Sequence, residues 1–203
     1  MLEGISSSFP HLSKPPVLAV TLVDPQDKRA PGELHTFDLG LMVRRTRKLL
    51  ERINLPGVVV FGAVDFSLNV NNTDDHRWQD HWMPHVHLLI IGTTRDTLRA
   101  ALSPHLKRDR TVKRPLHIRD LGASADDVVR RTSYGFKSVF YRVSYFVGRD
   151  HGVTCHNKSA LSNDSLAELA AYLDRWPPTA RLVLRTIRRH GWHLVLRLPK
   201  APE

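Results

Sequence analysis

The sequence predicts an α+β domain with a split βαβ order. Three observations carry this. Apolar runs of strand length alternate with segments of helical period, in the order strand, helix, strand, strand, helix, strand, helix. Two long strand candidates, residues 58–70 and 82–91, are separated only by a polar segment and read as a hairpin with a long tip. The length, 203 residues at 41% hydrophobic, suits one domain with an ordinary core and a small appendage.

Each element has its own signature. Val17-Leu18-Ala19-Val20-Thr21-Leu22-Val23 reads as a buried strand, stopped by Asp24-Pro25. Asp38 is placed to cap a helix running to about Ile53, with Leu39, Met42, Val43, Thr46, Leu49, Leu50 and Ile53 on one side and arginines and lysine filling much of the rest. Asn54-Leu55-Pro56-Gly57 stops it. The hairpin follows, then a short helix over 95–106 with Leu98, Ala101 and Leu102 apolar. Residues 111–119 read as a strand, and Pro115 assigns it to an edge. Residues 125–146 read as mostly helical with a break at Gly135. Beyond Gly148, helices are expected over 165–176 and 179–190, then a short strand over 193–198. The order is that of ferredoxin-like domains, with the first and third strands adjacent in a central antiparallel sheet, helices on one face and the other face open. The expected division is residues 1–150 for this domain and 151–203 for a small, mainly helical C-terminal extension.

Charge narrows the class of partner. The formal net charge of +10 favours a polyanion, and nucleic acid is the expected one. The single cysteine, Cys155, excludes an internal disulfide and a cysteine-based zinc finger. Residues 1–16 lack the basic start and long apolar core of a signal peptide, and the longest apolar stretches are too short to cross a bilayer. A cytoplasmic protein without membrane association is expected. No Gly-x-x-x-x-Gly-Lys pattern occurs, so no helicase motor is expected within the chain.

The chemistry concentrates in Pro84-His85-Val86-His87-Leu88-Leu89-Ile90-Ile91-Gly92. On a strand His85 and His87 project from one face, two imidazoles of a divalent-metal site. Asp65 on the partner strand is a candidate third ligand, with His76, Asp80 and His81 as rivals. Downstream, Tyr141 and Tyr145 share a face in helical register, and Tyr134 joins them if the helix is continuous. A phenol attacks a phosphodiester when a cation polarises the phosphate. Basic residues surround this segment: Arg130, Arg131, Lys137, Arg142 and Arg149. Others cluster over 107–114 and along 181–189. Trp78 and Trp82, at the hairpin tip, are candidates either for base stacking or for a local apolar cap. His151, Cys155 and His156 are a further thought for a small zinc site, with no evident fourth ligand.

These residues resemble the His-hydrophobe-His (HUH) endonuclease superfamily, and within it the rolling-circle replication initiators of plasmids and phages. The likeness covers about residues 17–149. Residues 17–23 resemble the family's first strand motif. Residues 62–69 resemble its acid-bearing strand, with Asp65 where glutamate is usual. Trp82-Met83-Pro84-His85-Val86-His87-Leu88-Leu89 closely resembles the Trp-x-Pro-His-x-His-x-Leu metal motif, and residues 141–148 resemble the two-tyrosine catalytic helix. The resemblance implies a nickase that binds Mg²⁺ or Mn²⁺ at His85, His87 and Asp65. It would cut one strand of a single-stranded or hairpin origin DNA, become linked through a tyrosine to the 5′ phosphate, and release a 3′ hydroxyl, with rejoining by the reverse step. Tyr145 corresponds to the nucleophile and Tyr141 to the auxiliary tyrosine. A host helicase and DNA polymerase are the implied partners. The two family lysines are absent, replaced by Ser144 and Gly148. Two other classes stay open: an HUH tyrosine transposase, which the Met-Pro-His-Val-His-Leu-Leu-Ile run also resembles, and a catalytically inactive basic DNA-binding module.

Overall fold

The computed structural model describes residues 17–72, 79–109, 112–121, 140–147, 153–190 and 193–196. Its elements are β1 (Val17–Val23), α1 (Leu39–Arg52), β2 (Val59–Asn71), β3 (His81–Ile91), α2 (Arg95–Leu102), β4 (Leu116–Asp120), β5 (Tyr141–Val147), β6 (Val153–Ala160), α3 (Asn163–Asp174), β7 (Leu182–Arg185), β8 (Ile187–His190) and β9 (His193–Leu196). Seven strands form one open mixed sheet in the order β4-β1-β3-β2-β5-β6, with β7 also paired to β2; β8 and β9 pair separately. β1 and β3 lie side by side, as the element order predicts.

The four strands β4-β1-β3-β2 are antiparallel to their neighbours. Beyond them β2 changes partner along its length. Residues 60–63 pair with β7, antiparallel, and residues 67–71 pair with β5, parallel. Val64, Asp65 and Phe66 fall between the two, on a stretch of outer edge that neither strand covers.

Alternation along the strands sorts the two faces. Leu18, Val20 and Leu22 of β1, Val60, Val64, Phe66 and Leu68 of β2, and Trp82, Val86, Leu88 and Ile90 of β3 join one core with Leu39, Met42, Val43 and Leu50 of α1, Leu98 and Leu102 of α2, and Leu169 and Tyr172 of α3. All three helices therefore cover the same face. Each starts on a side-chain cap: Asp38 accepts from Leu41 N–H at 2.7 Å, Thr94 from Thr97 N–H at 3.3 Å, and Ser162 from Ser165 N–H at 3.3 Å. On the opposite face a smaller apolar cluster of Val17, Val59, Ile91 and Leu121 fills one end.

Two residues of the hairpin are fitted to its backbone. A Cβ on Gly62 would lie 2.0 Å from the His87 carbonyl oxygen and 2.8 Å from Leu88 Cα, so only glycine lets β3 come this close. Pro84 lies between the last β1–β3 pair, Val23↔His85, and the Arg29↔Trp82 bridge. Its missing N–H points to the side where Trp82 meets Arg29, at a step with no ladder partner.

Several expectations need correction. The segment carrying Tyr141 and Tyr145 is the strand β5, not a helix. The run Phe140-Tyr141-Arg142-Val143-Ser144-Tyr145-Phe146-Val147 is dominated by aromatic and β-branched residues, which favour a pleated, half-buried surface. A spacing of four puts two side chains on one face in either periodicity, so the pair could not discriminate. Residues 122–139, with the rest of that expected helix, lie outside the described residues. The C-terminal segment is not mainly helical. Only α3 matches a helix there; residues 179–190 form a short 3-10 turn followed by β7 and β8, with Thr186 at φ 62 breaking the chain between them. The sheet is not wholly antiparallel, because of the β2–β5 pair. The fourth strand begins after Pro115 instead of running through it. Among the described residues no helix is long and apolar enough to cross a membrane.

Candidate metal centre

His85 and His87 leave β3 on the face away from the helices, and the register Asp65↔His85 and Ala63↔His87 sets Asp65 beside them. The His85 and His87 Nε2 atoms are 3.1 Å apart. Asp65 Oδ2 lies 3.6 Å from the first and 3.5 Å from the second. Ligand atoms about 2.1 Å from one ion, at angles of 90° to 110°, stand roughly 3.0–3.4 Å apart. The three residues form a buried to half-buried group that could hold a metal ion. Exposure of the side chains rises from 5% at Asp65 through 13% at His85 to 22% at His87, so the group opens to solvent on the His87 side.

The surroundings orient each donor. His85 Nδ1 is 2.9 Å from the Met83 carbonyl, which only accepts; the proton sits on Nδ1 and leaves the Nε2 lone pair facing the group. His87 Nδ1 is 3.0 Å from the Thr21 hydroxyl of β1, which holds the second ring in place. Asp65 Oδ1 accepts the Phe66 N–H at 2.9 Å. That amide lies on the uncovered stretch of the β2 edge, and the bond turns Oδ2 toward the imidazoles. Two imidazoles and one carboxylate are a mixed nitrogen and oxygen set, with room for substrate oxygens in the remaining positions.

The rival ligands are engaged elsewhere. Asp80 accepts the Asn71 N–H at 2.8 Å. His81 sits between the Gln79 carbonyl, 2.8 Å from Nδ1, and the Asn69 amide, 3.2 Å from Nε2. Burial holds the His81 imidazole below its ordinary pKa, against the opposing effect of the Gln79 hydrogen bond. His76 lies outside the described residues.

The parallel register Ser67↔Tyr141 and Asn71↔Tyr145 sets both tyrosines on the face that carries Asp65. Phe140, one residue earlier, packs against Phe66 on the helical face, as alternation requires. Tyr141 is beside Ser67, two residues from Asp65, which puts the Cα atoms of Tyr141 and Asp65 roughly 8 Å apart. Tyr145 is four residues further along, roughly 20 Å from Asp65. From β6, Lys158 Nζ stands 5.5 Å from the Tyr141 ring centroid.

The other expected residues divide. Arg142 pairs with Leu68, so it is directed to the helical face, away from the tyrosines. Arg130, Arg131, Lys137, Arg149, Tyr134, His151 and Trp78 lie outside the described residues, as do the side chains of Cys155 and His156. Trp82 is fully buried and donates its indole N–H to Glu168 of α3 at 2.9 Å, so it is a core residue and not a stacking platform. Arg185 bonds the Leu50 and Leu55 carbonyls and so fastens β7 to the end of α1. Sequence reasoning missed Thr21, Glu168, Gly62 and Lys158. Of these, only Gly62 carried a visible sign, a glycine inside a strand pattern.

Comparisons with protein-family models, with curated proteins and with solved structures find no match to this chain.

Proposed function

We propose that this chain cuts and rejoins single-stranded DNA through a phosphotyrosine intermediate, with a divalent cation held by Asp65, His85 and His87 and with Tyr141 as the nucleophile. The carrying observation is the shared sheet face: the β2–β5 register brings a tyrosine to within roughly 8 Å, Cα to Cα, of the acid in the imidazole pair's group. The β4-β1-β3-β2 order with every helix on the other face supports the ferredoxin-like reading as well. The same register favours Tyr141 over Tyr145, which lies too far along β5.

A bound cation supplies polarisation of the scissile phosphate. The chain's own groups do the rest. The Tyr141 oxygen attacks phosphorus as its proton leaves to solvent. The bond from phosphorus to the 3′ oxygen breaks, that oxygen takes up a proton, and the 5′ phosphate remains on the tyrosine. Attack by a 3′ hydroxyl reverses the step. Lys158, its Nζ 5.5 Å from the Tyr141 ring centroid, places a positive charge beside the nucleophile where the family lysines are absent. The mixed donor set favours Mn²⁺ over Mg²⁺, which prefers oxygen alone. Initiation of rolling-circle replication is the process such a reaction serves.

A randomised pool of end-labelled single strands tests the reading without knowledge of the target sequence. With Mn²⁺ a covalent protein–DNA adduct is expected on a denaturing gel. It disappears in Tyr141→Phe, in His87→Ala and with chelator, and persists in Tyr145→Phe. An adduct lost only in Tyr145→Phe moves the nucleophile; no adduct with any divalent ion defeats the nickase.

A further inference from the structure

A groove of about 560 Å³ lies between α2 and β4, away from the metal group. Arg95 and Arg99 come from α2, Arg108, Lys113 and Arg114 from the connection to β4, and His117 from β4 itself. Five permanent positive charges therefore line one concavity, and no acidic side chain lines it. The five cationic residues are exposed, so their charged heads stand in solvent around the groove. The groove lining carries one sign only, and the exposed acids of the same elements, Asp96 of α2 and Asp120 of β4, fall outside it. Its apolar floor, Leu106, Leu116 and Ile118, gives the cations a fixed mount.

The lining also says what is read. Arginine forks and a lysine match phosphate oxygens. No phenylalanine, tyrosine or tryptophan lines the groove, so it offers no platform for stacking bases. The groove lies at the β4 edge of the sheet, and the His117 side chain leaves β4 on the opposite, metal-bearing face. His117 pairs with Thr21, and Thr21 with His87, so the three stand in one row on one face. Two strand spacings put His117 roughly 10 Å from His87 between Cα atoms.

We propose that the α2–β4 groove is a second site, which binds consecutive phosphates of a nucleic-acid backbone without reading its bases. The inference rests on the proposed function only in naming a nucleic acid as the source of the phosphates. It is tested in chelator, where no cutting occurs, by fluorescence anisotropy with two labelled oligonucleotides of unrelated sequence. Replacing Arg99 and Lys113 together by alanine is expected to weaken both complexes by about tenfold at physiological salt. It should also lower the slope of log affinity against log salt by about 1 to 2. The charge-keeping pair Arg99→Lys and Lys113→Arg stays within about twofold, by the same electrostatic argument. Should the alanine pair unfold, the single exposed Lys113→Glu decides in the same assay. Unchanged affinity and salt slope overturn the proposal, as does a loss confined to one sequence. Inorganic tripolyphosphate that displaces the oligonucleotide at equal phosphate concentration reassigns the groove to small polyphosphates and also overturns it. Because the adduct assay is separate, backbone binding through the groove with no adduct would leave this site standing and remove only the nickase.

Discussion

At the scale of single residues, the centre is organised by short polar contacts that aim the rings. The Met83 carbonyl and the Thr21 hydroxyl each engage an Nδ1 and leave an Nε2 for the group. His81, four residues before His85, has another role. It is buried, bridged between Gln79 and Asn69, and held below its ordinary pKa of 6.5 by loss of solvent. The unfolded chain therefore takes up this proton before the folded one. Stability is unaffected by His81 above about pH 6.5 and falls as the pH drops below that value toward the depressed folded pKa. Denaturant unfolding in chelator at pH 7.5, 6.5 and 5.5 should show this acid-side loss in the native chain. The loss should be smaller in His81→Gln, which keeps the hydrogen-bonding capacity without the titration. Equal slopes in the two proteins would show that other groups carry the pH dependence.

At the scale of elements, the β2–β3 hairpin is the frame on which the donors hang. Gly62 is its closest point. Gly62→Ala must move backbone, since the His87 carbonyl and Leu88 Cα obstruct it alongside the Leu88 Cδ2 methyl. A cost of about 1–3 kcal/mol is expected from such overpacking, measured by chemical unfolding. Weaker Mn²⁺ binding in a calorimetric titration should accompany it, because the displaced residue is itself a donor. How much of this was legible from sequence differs by element. β1, α1, the hairpin and α3 follow from apolar period and caps, and the His-x-His pair with Asp65 follows from strand alternation. β5 did not, because a spacing of four satisfies both periods and its partner β2 is remote in sequence. The strand β7 was equally hidden: four residues give too little pattern to tell a strand from a turn of helix. Thr21 and Glu168 were invisible because their partners lie far along the chain, 66 residues away for Thr21 and 86 and 134 residues away for Glu168.

At the scale of the whole molecule, the C-terminal residues are built into the same core. Leu169 and Tyr172 of α3 and Val183 of β7 are buried with the central strands. The Tyr172 hydroxyl donates to the Phe37 carbonyl at 3.0 Å, and burial pushes its pKa up to about 12. Glu168 receives both the Trp82 indole and the Leu34 N–H, each at 2.9 Å. A chain ended at residue 152 should therefore lose its cooperative thermal transition and bind an apolar dye, since Trp82, Phe66 and Phe37 would stand uncovered. A sharp transition retained by the truncated chain would show that the first part folds alone.

The hook between Asp65 and the amide of the very next residue has a consequence for which acid belongs at this place. Aspartate is short enough to lean on its own backbone, so its orientation is set before any ion arrives and little motional freedom remains to be surrendered. A glutamate here would swing on one more rotatable bond and need steadying from a neighbour. The shorter acid is thus a local solution: a shorter arm, anchored at its own root on the stretch of β2 that neither β5 nor β7 pairs.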